Sequence, residues 1–126
     1  LLEGVIFGMA DALEIMSAMN IPLARIRLSG GGARSGFWRQ LQADIYNKPV
    51  ASINADEGPA YGAALLAGVG TGVWANVPEA CAAAIEETGC LNPDPERAEQ
   101  YRARHQQYQR LYEALKGEFA RIAQLG

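Results

Sequence analysis

The residues in this sequence best placed to grip a ligand are glycines. Ile26-Arg27-Leu28-Ser29-Gly30-Gly31-Gly32-Ala33-Arg34-Ser35 runs from an alternating, strand-like segment into a helical one. A strand that ends in glycines and turns into a helix lets a flat or anionic ligand touch bare backbone. The helix start adds free N–H groups and a favourable dipole. A tight turn with no ligand would need fewer glycines, so three in a row at such a junction make ligand binding an equal contender. Ser35 is a good N-cap for a helix that places Phe37, Trp38, Leu41 and Ile45 on its buried side.

The spacing narrows the ligand. A P-loop requires a lysine after its last glycine, and none follows here. A dinucleotide fingerprint comes closer, since Gly30, Gly32 and Ser35 take its three glycine positions and Asp56 stands near the place of a ribose-binding acid. The third position is nevertheless a serine, and no six-strand sheet follows. Asp56 and Glu57 could serve acid–base work or magnesium, but they sit just before Pro59, where carboxylates favour a helix start. Arg34 could approach a phosphate or simply be exposed. Trp38 reads as core, close enough to the glycines to report on them.

Around this loop the pattern alternates between helix and strand. Leu2, Ile6, Met9, Leu13 and Met16 fall on one face of a first helix, with Glu3, Asp11 and Glu14 opposite. Ala24–Leu28 and Val50–Ile53 read as two short strands. A small-residue helix from Ala60 to about Val69 is expected to be buried, and Asn76-Val77-Pro78-Glu79 resembles a capping box. Cys90–Pro95 reads as an extended connector. A long helix from about Glu96 to Gln124 repeats Tyr101, Tyr108, Leu115 and Ile122 every seven residues, with His105, Tyr112 and Phe119 between them. Packing onto its own domain explains that stripe better than a three-heptad coiled coil, and it makes His105 a packed residue. Two strands seldom form an independent sheet, so pairing with strands outside the sequence is expected ahead of a fold that leans on its helices.

The totals exclude several classes. The 126 residues are 49% hydrophobic and 20% charged with a net charge of −3, which suits one globular domain and offers no basic stripe for nucleic acid. The apolar start is interrupted by Glu3, Asp11 and Glu14 and has no basic lead, so neither a membrane span nor a signal peptide is expected. Two cysteines without a C-x-x-C pair and a single histidine argue against zinc and favour small buried thiols.

Leu28 to Ile45, in the form LSGGGARSGFWRQLQADI, resembles the adenosine motif in the C-terminal domain of the FGGY carbohydrate kinases. Asp56 to Ala67 is similar to that family's following helix, and Leu1 to Gly4 looks like the tail of a family signature, which makes the chain read as truncated at its start. The Gly-Gly-Gly-Ala-Arg-Ser form and the tyrosine-rich last helix point to the xylulokinase branch. The resemblance covers Leu1 to about Val69 in detail and the remainder loosely.

This resemblance implies an α/β fold, helix-rich with two short strands and a long C-terminal helix, belonging to an actin-like ATPase (RNase H-like) domain. Residues 1–126 would be the C-terminal portion of the nucleotide-binding domain, with the sugar-binding domain outside the sequence. Such enzymes move the γ-phosphoryl of Mg-ATP onto a sugar hydroxyl, with D-xylulose, giving xylulose 5-phosphate, the favoured acceptor. The backbone at Gly30, Gly31, Gly32 and Ala33 would line the adenine–ribose slot, Gly31 nearest. Ser35 stands where glycerol kinases carry an adenine-reaching Asn, and its shorter side chain could act through water. The catalytic base, the sugar contacts and the Mg2+ ligands would all lie outside this chain, leaving it inactive alone. ATP or ADP and a pentulose are the implied partners and the cytoplasm the implied compartment, while the oligomeric state, a homodimer included, stays open. A non-catalytic actin-like interaction domain and, more remotely, a dinucleotide-binding module are the competing readings.

Overall fold

The computed structural model describes residues 1–55 and 58–125. The chain order is α1 (Leu2–Ala18), β1 (Ile26–Leu28), a 3-10 turn (Gly31–Arg34), α2 (Gly36–Tyr46), β2 (Val50–Ile53), α3 (Gly58–Gly70), α4 (Val77–Ala84), β3 (Glu87–Leu91) and α5 (Pro95–Ala123). Helices dominate, as expected, and α5 closes the chain. The expected capping of α3 by Asp56 and Glu57 falls outside the described residues.

The sheet is built around β2. β1 lies parallel to it, with Ile26 opposite Val50 and Leu28 opposite Ser52. β3 lies antiparallel on its other side, pairing Val50 with Leu91 and Ile53 with Glu87. The two expected strands therefore find each other within this chain, and a third joins them. The third strand gave little signal because Glu87-Thr88-Gly89-Cys90-Leu91 is an edge strand with a glycine at its middle. Glu87 reaches across the sheet to Arg25 and to Arg27, whose Nε lies 3.0 Å from its carboxylate. Hydrogen bonding from Arg27, with Arg25 beside it, holds the Glu87 carboxyl below its ordinary value.

α2 is the hub, packing against α1, α5 and the sheet. Its Leu41 and Ile45 join Ile6, Phe7 and Ala10 of α1 in the core, with Trp38, Tyr46, Tyr101 and Tyr108 around them. Each buried aliphatic or Phe side chain contributes about 1.5–3 kcal/mol. The buried face of α1 differs from the expected one. Ile6, Phe7 and Ala10 face inward, whereas Met9 is 50% exposed and the acids turn toward α5. α5 rewards those acids with Arg104, His105 and Gln109, so the interface rotates to include them.

Other expectations also shift. Phe37 is exposed, because the first turn of α2 projects beyond the core. α3 buries only Leu65 among its residues, because α4 and Trp74, which pack against it, leave most of its small-residue surface exposed or half-buried. On α5 the stripe divides. Ala98 and His105 are buried with Tyr101 and Tyr108 half-buried, while Tyr112, Leu115, Phe119 and Ile122 are exposed where the helix runs past α1. Cys81 and Cys90 are free thiols, but half-buried and exposed rather than buried. No helix among the described residues is long and apolar enough to cross a membrane.

One buried charge joins α2 to α5. Asp44 is 2% exposed, and its Oδ1 accepts from Gln40 Nε2 (2.8 Å) and from the Asp94 backbone N–H (2.8 Å). Its Oδ2 faces Arg97 Nε at 3.3 Å. Asp94 in turn caps α5, accepting from the N–H groups of Glu96 and Arg97, and the Arg97 bond first of all lowers its carboxyl below the usual range. Replacing Asp44 by Ala should orphan the Asp94 N–H and cost about 3 kcal/mol in urea unfolding. A loss within ~0.5 kcal/mol would contradict this role.

Tyr46, at the end of α2, donates to Gln42 Oε1 at 3.1 Å, and burial pushes its phenol up to about 12. The raised value favours the neutral phenol. Its stabilisation is complete below the ordinary value of 10.0 and disappears as pH rises through about 12. Unfolding free energy should decline across that window less steeply in Tyr46→Phe than in the parent. Equal slopes would assign the decline to other groups.

Candidate functional site: the glycine turn at the end of β1

β1 ends at Leu28, and the chain reverses over Ser29 and Gly30. Gly30 takes φ 83°, ψ −177°, a region open in practice only to glycine. That conformation lets the Gly30 carbonyl accept from the Ala33 N–H (3.0 Å), and the Gly32 carbonyl accepts from the Ser35 N–H (3.1 Å). The glycine run is thus a 3-10 turn rather than an open loop. Its first N–H groups, of Gly31 and Gly32, have no acceptor inside the turn, because i→i+3 bonding begins at Ala33.

Ser35 caps α2 as expected, its Oγ accepting from the Trp38 N–H at 3.3 Å. The hydroxyl keeps its own proton to donate outward. All five expected ligand-binding residues, Gly30, Gly31, Gly32, Ala33 and Ser35, therefore lie on one continuous turn and cap. Gly31, Gly32 and Ser35 are exposed, and Gly30 and Ala33 are half-buried. A methyl group on Gly31 would meet nothing within 4 Å, so an open approach to the backbone exists there. One on Gly32 would sit 3.1 Å from Trp38 Nε1. Trp38 packs against the core, so its indole clamps the turn to the domain.

The second helix start converges on the same place. β1 and β2 are parallel, so their carboxyl ends lie side by side, and α2 and α3 both begin just beyond them. In α/β sheets that is where ligands bind. Gly58, opening α3, approaches so closely that a Cβ there would lie 2.2 Å from Ser29 Oγ. Asn54, after β2, donates to the Ala84 carbonyl (3.0 Å) and accepts from the Glu86 N–H (3.1 Å), and the Tyr61 hydroxyl also donates to Ala84 (2.5 Å). These bonds tie the start of α3 to the end of α4.

Sequence reasoning missed Asn54 and Arg39, whereas Trp38 lies where it was expected, against the core and beside the glycines. Arg39 Nη1 donates to Ser52 Oγ at 2.5 Å behind the turn, joining α2 to β2. The first of these had a signal, an Asn directly after a strand. The second depends on how α2 lies over the sheet. The assembled turn offers backbone donors, two helix N-termini and a serine hydroxyl, groups suited to holding a ligand.

Residues 1–71 match the model of the FGGY family of carbohydrate kinases, C-terminal domain. The chain belongs to that family. It is 37% identical over 115 residues to a xylulose kinase of Staphylococcus epidermidis, covering 90% of this chain and 22% of that protein. It is 36% identical over 120 residues to the L-xylulose/3-keto-L-gulonate kinase of Escherichia coli, covering 95% of this chain and 24% of that one. Among solved structures, a gluconate kinase from Lactobacillus acidophilus superposes with a TM-score of 0.84 at 25% identity over 96% of this chain and 24% of its own. A xylulose kinase from Rhodospirillum rubrum gives 0.78 at 28% identity over 95% of this chain and 24% of its own. The fold is accordingly the helix-rich α/β portion of an actin-like ATPase domain. The chain spans about a quarter of the length of these relatives.

The geometry separates the glycines by role. Gly30→Ala should destabilise the chain by about 1–3 kcal/mol through its φ. Gly31→Ala, with open space around it, should change stability by less than ~0.5 kcal/mol. Thermal unfolding of both variants checks this, and equal losses would refute the distinction.

Proposed function

We propose that this chain is the ATP-binding part of a carbohydrate kinase that transfers the γ-phosphoryl of ATP to a sugar hydroxyl. The observation that carries the proposal is the exposed backbone of Gly31 and Gly32, held beside two helix starts at the carboxyl ends of parallel strands. A flat adenine and its ribose fit bare backbone, and residues 1–126 serve as the C-terminal portion of the nucleotide-binding domain. Gly30, Gly31, Gly32 and Ala33 line the slot, and the Ser35 hydroxyl reaches toward the base, directly or through water. ATP supplies the phosphoryl group; the residues here bind and orient it. The catalytic base, the Mg2+ ligands and the sugar contacts come from the remainder of the enzyme, so the chain by itself is inactive.

D-xylulose is the favoured acceptor, giving xylulose 5-phosphate, because relatives named xylulose kinases align along most of the chain. Relatives named for L-xylulose, gluconate or glycerol align as well, which fits a domain that handles the shared nucleotide while the sugar is chosen elsewhere. The reading extends to a cytoplasmic enzyme, with neither membrane nor nucleic acid as a partner and with homodimer formation compatible. Closure of the other domain over this one would exclude water from the transfer.

An amide NMR titration with ADP, and with NAD as control, tests the slot. Selective shifts at Gly30 to Ser35 with ADP alone are expected, at weak affinity. Shifts with NAD alone would favour a dinucleotide module. In the complete enzyme Gly31→Glu should raise the KM for ATP at least ~10-fold and leave the sugar KM nearly unchanged, since it removes a nucleotide contact only. Unchanged ATP kinetics would refute the assignment. An actin-like interaction domain would show no sugar-dependent ATP turnover in the complete protein at all.

A further inference from the structure

Where α1 crosses α5, four side chains with ligand atoms converge away from the glycine turn. Asp11 and Glu14, one turn apart on α1, face His105 and Gln109, one turn apart on α5. His105 Nε2 lies 2.8 Å from Asp11 Oδ1, and Nδ1 lies 3.5 Å from Glu14 Oε1. The Gln109 amide nitrogen sits between the carboxylates, 2.8 Å from Asp11 Oδ1 and 2.9 Å from Glu14 Oε2. The His105 side chain is 9% exposed, and its ring stacks on Phe7 with centroids 5.4 Å apart, so its direction is set by packing.

We propose that Asp11, Glu14 and His105, with Gln109 as a fourth donor, form a binding site for a borderline divalent transition-metal ion such as Zn2+. Charge supports this first. Two carboxylates surround one imidazole, and no Lys or Arg ion-pairs with either among the described residues. A protonated His105 leaves one negative charge unbalanced, whereas a divalent ion with neutral imidazole balances both. Lys48 and Arg102 line neighbouring cavities beside Glu14 and His105, yet neither ion-pairs with them.

Geometry supports it next. Zinc bonds of about 2.0–2.1 Å to nitrogen and oxygen place tetrahedral ligands about 3.3 Å apart. The three ligand groups already lie within 4.8 Å of one another, so small rotations suffice. A neutral imidazole offers one lone pair. Nε2, 2.8 Å from Asp11 Oδ1, is the ring nitrogen whose lone pair would face the ion. The Gln109 amide nitrogen occupies the place of a cation, and turning the amide over presents its oxygen instead. An imidazole among oxygen donors selects Zn2+, Co2+ or Ni2+ over Mg2+ or Ca2+. Asp11 and Gln109 also border a groove of about 660 Å³ along α5, which gives the ion a way in.

The bound ion would clamp α5 onto α1. Co2+ is the probe for the chain after chelator treatment, because tetrahedral Co2+ absorbs visibly. One equivalent should bind with saturable absorbance, and Zn2+ should displace it. Zn2+ should raise Tm by about 5–10 °C at a hundredfold excess over Kd. His105→Gln and Glu14→Gln should each weaken binding by at least ~10-fold. Glu14 is 61% exposed, so that variant keeps the fold even if His105→Gln does not. Absence of saturable Co2+ binding would overturn the site and leave an imidazole–carboxylate clasp. Equal binding by the parent and Glu14→Gln would overturn it as well.

Discussion

A carboxylate that water cannot reach has to find its hydrogen bonds inside the protein, and Asp44 imposes that demand on everything around it. One oxygen takes the Gln40 amide and the N–H of Asp94; the other faces Arg97. Asp94 is the cap of α5, so the charge in the last turn of α2 decides where the 29-residue last helix begins and how it leaves the sheet. The direction of α5 then determines which of its residues meet α1. The apolar core of Ile6, Phe7, Leu41 and Ile45 supplies most of the stabilisation, but an apolar contact is tolerant of sliding. The buried ion is not, and it sets the register of the packing.

The same helix carries the candidate site at its other end. Ser35 caps α2, Trp38 one turn later holds Gly32, and Arg39 reaches Ser52 on β2. These three anchors at the start of α2 transmit the rigidity of the core to a turn whose own residues have almost no side chains. This resolves a conflict inherent in glycine-rich sites. Glycine lets a ligand reach the backbone but costs conformational entropy, and only external clamps make such a turn a preformed surface.

The exposed surfaces carry a complementary message. α3 buries a single residue, α1 leaves Met9 and Met16 outward, and α5 exposes Tyr112, Leu115, Phe119 and Ile122. Each of these is an apolar or small-residue face of a kind that usually meets another layer. Their coexistence with a well-formed hub around α2 fits a chain that spans a quarter of its relatives' length.

Much of the local design was legible in the sequence. The Ser35 cap, the Asn76 cap and the start of α5 beside Asp94-Pro95 follow from side-chain hydrogen bonding over two or three residues. The glycine run announced a turn with exposed backbone, because such exposure is a property of the residue type itself. β3 was not legible: its edge sequence has weak strand preference and is ordered by pairing with β2. Phe37 was misplaced because a hydrophobic residue in a first helical turn can point past the core. The face of α1 was misplaced because its acids meet partners nearly a hundred residues away on α5, as in the Asp11–His105 contact. Caps, turns and helix periods were set by the sequence through short-range physics. Which faces pair, which strand completes the sheet and which titratable groups converge were decided only by the packed chain, because those energies depend on contacts between residues far apart along it.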